Sequence, residues 1–367
     1  MTELSPELLK LIHARGERLA GDKMARSIAR LYSHQTRYQE RRSGLQSWTP
    51  DEAERRFQDA ERLLEAGLLL RETDQDQSKR YLRRAAEIYE WLGGIQGNPS
   101  GVNLNFFAAA SYQLAGYSAR ALGVLSKEKN RDGYSRAIFY FLKGDYKNLQ
   151  KTVILGVRNL KEIAEQTEEL QIKYGFELSI DVLRCFGIFC SWLRWGEEDR
   201  IDRVFDDIAR ISKAMLYGDD THSWLLARLI HIIFRDNYEK SLRKSVWVLA
   251  DTVNETGQKA FERYVQRSFN LNTTITWPSQ LAGIQELSSK NSFALCTPTG
   301  SGKTRVAELA ILQSLFSTKF TNISDTSPIV LYLVPSRALA MEVEATIADV
   351  FRRVGIADVS VSSMPLL

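Results

Sequence analysis

The sequence predicts two domains, a mostly α-helical N-terminal domain with a helical-repeat-like organisation and a truncated α/β domain after it. From residue 1 to about 265 the apolar residues recur at helical spacing, proline is scarce and strand-like alternation is absent. Beyond residue 276, short apolar runs are each followed by a helical pattern, which is typical of a parallel sheet covered by helices. We therefore expect a helical accessory domain over 1–266, a linker over 267–276 and an incomplete α/β domain over 277–367.

Length and composition are those of an ordinary globular protein. The 367 residues suffice for two or three domains with their own cores, and 44% are hydrophobic and 26% charged. The net charge of +4 says little about nucleic acid, because a local basic face matters more than the total. The three cysteines have neither disulfide nor metal-ligand spacing, and we find no signal peptide and no membrane-spanning run. We expect a cytoplasmic protein that does not enter a membrane.

A basic segment lies near the N-terminus. Residues 23–42 hold six Lys or Arg against one acid, with two tyrosines between them. Arginines four residues apart share a helix face. The segment is either a contact to a nucleic-acid backbone or, alternatively, a solvated face or a partner interface. The six basic residues are Lys23, Arg26, Arg30, Arg37, Arg41 and Arg42.

The acidic sequence Asp51-Glu-Ala-Glu54 resembles a metal-binding acidic box but has another explanation. It follows Thr49 and Pro50 and lies far upstream of any phosphate-binding sequence. A threonine before the helix, a proline at its first position and acids in its first turn are typical of a helix start. We therefore assign it no chemistry.

A short pattern recurs in the helical region. Tyr112-x-Leu-x-Gly116 and Tyr140-x-Leu-x-Gly144 each place an aromatic residue and a leucine before a glycine, and Trp192 to Gly196 is a third, degenerate copy. Such patterns end helices in arrays of helical hairpins, which bind partners by shape. We expect an irregular hairpin array whose core contains Trp192, Trp195, Trp224 and Trp247.

The central motif of the chain is Thr297-Pro-Thr-Gly-Ser-Gly-Lys-Thr304. An apolar run, Phe293 to Cys296, precedes it and an apolar helical pattern follows. Glycines let a loop turn its N–H groups toward one point, and the next helix adds the positive end of its dipole, so the loop predicts a phosphate site. The candidate residues are Thr299, Gly300, Ser301, Gly302, Lys303, whose charge suits phosphate, and Thr304, whose hydroxyl suits Mg²⁺.

Three motifs in order carry a family resemblance. Trp277-Pro-Ser-Gln280 comes first, the phosphate loop second, and an apolar run, Ile329 to Val334, ends in Pro335-Ser-Arg-Ala-Leu-Ala340. Together they resemble the N-terminal half of the first RecA-like domain of superfamily 2 DExH helicases, and the last motif is most similar to the Ski-type group. The resemblance covers about 275–367. It implies ATP and Mg²⁺ as cofactors, adenine recognition by Gln280, and contacts from Pro335, Ser336, Arg337 and Ala338 to a DNA or RNA backbone.

The resemblance is incomplete. No Asp-Glu-x-His box, second helicase lobe or arginine finger follows the phosphate loop, so the chain contains no catalytic residues of its own. We expect it to be the N-terminal part of a larger ATP-dependent helicase and inactive alone. A large helical extension before such a core is similar to that of bacterial defence helicases, including the helicase subunit of Hachiman-type antiphage systems, which pairs with a nuclease. We therefore expect a protein partner, such as a nuclease subunit, on the helical domain. The alternative is a helical interaction scaffold with a nucleotide-binding switch.

Overall fold

A computed structural model describes residues 5–40, 48–95, 103–128, 133–217, 221–289, 292–296, 298, 302–318, 328–356 and 359–363. Within these residues the regular secondary structure is helical, with two isolated β-bridges. The helices are α1 (Pro6–Ala20), α2 (Asp22–Gln39), α3 (Pro50–Leu69), α4 (Gln75–Gly93), α5 (Leu104–Leu114), α6 (Ser118–Leu125), α7 (Gly133–Lys143), α8 (Tyr146–Gln166), α9 (Leu170–Trp195), α10 (Glu198–Tyr217), α11 (Thr221–Glu239), α12 (Leu242–Ala250), α13 (Glu255–Asn270), α14 (Pro278–Ser289), α15 (Lys303–Leu315) and α16 (Arg337–Val354).

The chain divides into two compact units. The first comprises Met1–Asp145, Lys151–Cys185 and Phe205–Ile233, and the second comprises Tyr146–Gln150, Phe186–Val204 and Phe234–Leu367. The helical character predicted for the N-terminal region is confirmed. The second unit includes α12 and α13 as well as the segment that the sequence analysis treated as a linker.

The first unit is built on a succession of packed helices, α3 on α4, α4 on α5 and α5 on α6. Its core is rich in aromatic residues, because Tyr81, Tyr89, Trp91 and Tyr112 are all fully buried. Large aromatic side chains bury much apolar area at once, which stabilises the contacts between short helices.

Helix ends in this array follow local sequence. Gly116, Gly144 and Gly196 all take left-handed φ angles, of 86°, 73° and 78°, and they follow the ends of α5, α7 and α9 within two residues. The N–H of the residue after Gly116 donates to the Tyr112 carbonyl at 2.8 Å, and the N–H after Gly144 donates to the Tyr140 carbonyl at 2.9 Å. These bonds close the helix ends as glycine caps usually do. The prediction that the repeated pattern ends helices is confirmed.

The start of α3 is also as predicted. The Thr49 hydroxyl accepts a hydrogen bond from the Glu52 N–H at 3.2 Å, and Pro50 is the first helical residue. The acids Asp51 and Glu52 lie in the first turn, where the helix dipole favours negative charge. The acidic sequence therefore serves a helix start.

In the second unit, α12, α13, α14, α15 and α16 share a hydrophobic core. Leu249, Tyr264, Leu309 and Phe351 are buried together there. Two isolated antiparallel bridges, Ser241 with Ile275 and Val253 with Ser317, add backbone hydrogen bonds. These bonds run from the Leu242 N–H to the Thr274 carbonyl (2.7 Å), from Thr276 to Lys240 (2.8 Å), from Asn254 to Phe316 (2.9 Å) and from Thr318 to Thr252 (3.2 Å). In the predicted linker, residues 267–270 thus form the end of α13, and Thr274 and Thr276 bond the chain at the start of α12.

The predicted α/β domain is wrong. Between 277 and 363, the described residues form helices and no β-sheet, and the two predicted strands at 293–296 and 329–334 pair with no strand. Ile329 and Leu333 remain 91% and 82% exposed. A strand is stabilised by hydrogen bonds and side-chain contacts to a neighbouring strand, so an apolar run alone does not form a sheet. Because the described residues form no sheet, the predicted RecA-like fold is also wrong.

The tryptophan prediction is partly wrong. Trp192 is buried as expected, whereas Trp224 is half-buried and Trp195 and Trp247 are exposed, Trp247 by 64%. Within the described residues no helix is long and apolar enough to cross a membrane, and no His, Cys, Asp and Glu cluster could hold a metal ion.

Candidate nucleotide site

Gln280 connects the start of α14 to the loop before α15. Its Oε1 accepts a hydrogen bond from the Trp277 N–H at 3.0 Å, and its Nε2 donates to the carbonyl oxygen of Gly302 at 3.3 Å. The first of these bonds is half of a capping box, in which the third helical residue satisfies the N–H before the helix. Gln280 is 6% exposed. In the described part of the chain, each end of this amide makes one hydrogen bond and so has one further position unused.

The backbone conformation at Gly302 is one that residues with a side chain rarely adopt. Its φ is 77°, in the left-handed region, and a Cβ there would lie 2.0 Å from Nε2 of Gln280. The left-handed backbone conformation therefore favours glycine, and a Cβ at this position would displace the Gln280 amide from the loop. The glycine that the motif supplies is the residue that lets Gln280 reach the loop.

The N-terminus of α15 begins at the two predicted phosphate and metal residues. Lys303 and Thr304 are its first two residues, both are exposed, and no side chain caps this helix end. The Gly302 carbonyl accepts the N–H of Arg305 at 3.1 Å, which starts the helix. Exposed N–H groups at a helix start and the positive end of the dipole favour an anion there.

The remaining loop residues of the prediction, Thr299, Gly300 and Ser301, lie outside the described residues. The structure therefore brings Gln280 and Gly302 together and places Lys303 and Thr304 directly after them. It describes no further part of the predicted phosphate cradle.

Two contacts that the sequence analysis missed hold α15 in place. A Cβ on Gly283 of α14 would lie 2.9 Å from the Val306 side chain, so the two helices approach closely at that glycine. On the other side, the Tyr264 hydroxyl of α13 donates a hydrogen bond to the Glu308 carboxylate. Burial raises the pKa of Tyr264, and the charge of Glu308 raises it further, so the phenol stays a donor. No local sequence signal connects residues 44 positions apart.

The predicted nucleic-acid residues lie at the start of α16. Ser336 is the residue before the helix, and its hydroxyl accepts the Leu339 N–H at 3.3 Å. Pro335, Arg337 and Ala338 are exposed. Within the described ranges, Arg337 forms no ion pair. The other end of α16 is fixed by Arg263, whose Nη1 donates to the Val354 carbonyl at 3.1 Å.

Residues 277–364 match the DEAD/DEAH box helicase family model. Every described site residue from Gln280 to Ala338 falls inside this helicase-matched segment. A relative is the Hachiman protein HamB of Bacillus cereus, which is 22% identical over 285 residues. The aligned part is 76% of this chain and 24% of the relative, so the chain spans about a quarter of the relative's length. The two matches support a helicase-family protein, and a helicase domain implies nucleotide binding.

Proposed function

We propose that this chain is part of an ATP-dependent DNA or RNA helicase or translocase of the Ski-type DExH group. The observation that carries the proposal is the junction between Gln280 and Gly302, immediately before an uncapped helix that begins with Lys303. A loop that favours glycine, a helix dipole and an exposed ammonium group together suit the phosphates of a nucleotide.

The residues present fit ATP and Mg²⁺. Lys303 supplies positive charge for the β- and γ-phosphates, and the hydroxyl of Thr304 is a ligand for Mg²⁺, with Thr299, Gly300 and Ser301 as the rest of the loop. Gln280 uses its remaining donor and acceptor positions to read adenine. Bound Mg²⁺ neutralises phosphate charge, while the protein groups bind and orient the nucleotide.

Nucleic acid binds, in this proposal, at the start of α16. Pro335, Ser336, Arg337 and Ala338 are exposed there, and Arg337 offers a planar, permanently charged group that suits a backbone phosphate. The N-terminal position adds the positive end of the helix dipole.

A protein partner, a nuclease subunit of a cytoplasmic antiviral defence system, completes the proposal. In the first unit, α8 and α9 expose large apolar side chains, with Ile154 70%, Leu155 64% and Leu170 81% exposed. Residues 161–177, from the end of α8 to the start of α9, contain five glutamates and two lysines, so this segment carries an excess of negative charge. An apolar centre with a charged rim is typical of a protein interface, and the excess of glutamate favours a partner with a basic rim and disfavours nucleic acid.

The nucleotide proposal is tested by thermal unfolding with and without MgATP. Ligand that binds only the folded protein raises Tm, so ATP should stabilise the chain and Lys303→Ala should abolish most of that shift. Lys259→Ala is the matched control, because Lys259 is an exposed lysine of the same unit whose partner is Glu255. Equal ATP shifts in the Lys303 variant and the control would refute the site.

A further inference from the structure

The outward face of α2 carries a line of positive charge. Lys23, Arg26, Arg30 and Arg37 are all exposed. At 3.6 residues per turn their positions fall within an arc of about 60° and extend along about 21 Å of the helix. The acids Asp22 and Glu40 lie only at the two ends of α2 and outside this arc. We call these four residues the α2 basic face.

The opposite side of α2 is fixed against α4. Ile28 and Leu31 are buried, and three polar side chains donate hydrogen bonds to backbone carbonyls near the end of α4. These bonds run from Tyr32 to Glu87 (2.9 Å), from Gln35 to Trp91 (3.3 Å) and from Gln39 to Gly94 (3.1 Å). The helix cannot rotate about its axis without breaking them, so the basic face is held toward solvent.

The charges of this face have no carboxylate partners in the described part of the chain. Arg26 donates only to the backbone carbonyl of Asp22, at 3.4 Å, and Lys23, Arg30 and Arg37 form no ion pair there. Other exposed arginines do have carboxylate partners. Arg158 pairs with Glu162 at 3.1 Å, Arg200 with Glu197 at 3.2 Å and Arg210 with Asp207 at 2.5 Å. The α2 basic face is therefore an uncompensated row of cations on a rigid helix.

We propose that the α2 basic face binds the phosphate backbone of nucleic acid without reading its sequence. The face exposes no large apolar side chain, and a protein interface needs an apolar centre, whereas binding to a polyanion depends on charge alone. Its length of about 21 Å spans about six steps of a duplex at ~3.4 Å each, enough for several phosphates. This surface lies in the first unit, outside the helicase-matched segment, and goes beyond the proposed ATP and nucleic-acid sites.

Binding of a labelled oligonucleotide of mixed sequence to the full chain, without nucleotide, tests this proposal. Affinity is measured for single strands and duplexes between about 50 and 200 mM salt. The slope of log affinity against log salt is negative, and each lost phosphate contact reduces its magnitude by about 0.7 to 0.9. Arg26→Ala/Arg30→Ala/Arg37→Ala should therefore reduce the magnitude of the slope by about 2 to 3. Arg158→Ala/Arg200→Ala/Arg210→Ala removes the same charge from paired sites and should leave the slope near that of the wild type.

Each result decides between the alternatives. The proposal is overturned if the α2 variant keeps the wild-type salt dependence, or if the control variant loses as much salt dependence as the α2 variant. It is also overturned if the α2 variant binds nucleic acid normally but no longer binds a protein partner. Circular dichroism checks that α2 remains folded. Lys303→Ala should keep the wild-type slope while it loses the ATP shift, so failure of the ATP site and failure of the α2 basic face are distinguishable.

Discussion

Gln280 donates a hydrogen bond from Nε2 to the carbonyl oxygen of Gly302 at 3.3 Å, and this bond joins the start of α14 to the start of α15. The same amide caps α14 through the Trp277 N–H. A change at Gln280 therefore affects both a helix start and the loop that precedes Lys303. The first two predictions separate these effects.

Gln280→Ala should weaken ATP binding more than GTP binding. Loss of a bidentate contact to a base costs about 1 to 3 kcal/mol, while loss of the helix cap affects both nucleotides equally. Isothermal titration with each nucleotide measures the difference. Gln285→Ala is the control, since Gln285 is an exposed glutamine of the same helix. If both affinities fall by the same factor, Gln280 is a helix-start residue and does not read the base.

Gly302→Ala should destabilise the protein and weaken ATP binding. A left-handed φ costs an alanine about 1 to 2 kcal/mol, and its Cβ would also push the Gln280 amide away from the loop. Gly123→Ala is the control: Gly123 lies within α6, has open space around it, and should gain up to about 1 kcal/mol of helix stability. Thermal unfolding of the two variants should shift Tm in opposite directions. An unchanged Tm for Gly302→Ala would contradict the close approach.

Local features of this fold are predictable from sequence and nonlocal ones are not. Thr49 and Gly116 mark a helix start and a helix end because the residues that they bond lie within five positions. The predicted strand at 329–334 has the right composition, but a strand depends on a neighbour that periodicity does not identify. The hydrogen bond between Tyr264 and Glu308 is equally hidden, since tertiary packing alone brings the two together.

The 367-residue chain should bind ATP without steady-state hydrolysis. Turnover requires a carboxylate to hold Mg²⁺ and a group that positions water, and no Asp-Glu-x-His box follows Thr304 in this sequence. A phosphate-release assay, with and without nucleic acid, measures this. Hydrolysis that Lys303→Ala abolishes would prove the prediction wrong. In a longer protein that contains the box, Lys303→Ala should lower turnover by ~100-fold or more.

The exposed apolar residues of α8 and α9 should form the contact to the protein partner. Leu155→Ser/Leu170→Ser removes apolar area from a surface that is already in water, so stability should change by less than about 0.5 kcal/mol for each change. Buried apolar anchors carry most of the energy of an interface, so affinity for a purified nuclease subunit encoded beside this gene should fall at least about tenfold. Leu122→Ser is the matched control, because Leu122 of α6 is an exposed leucine of the same unit. Biolayer interferometry compares the variants, and the docking surface is refuted if the double variant binds as tightly as Leu122→Ser.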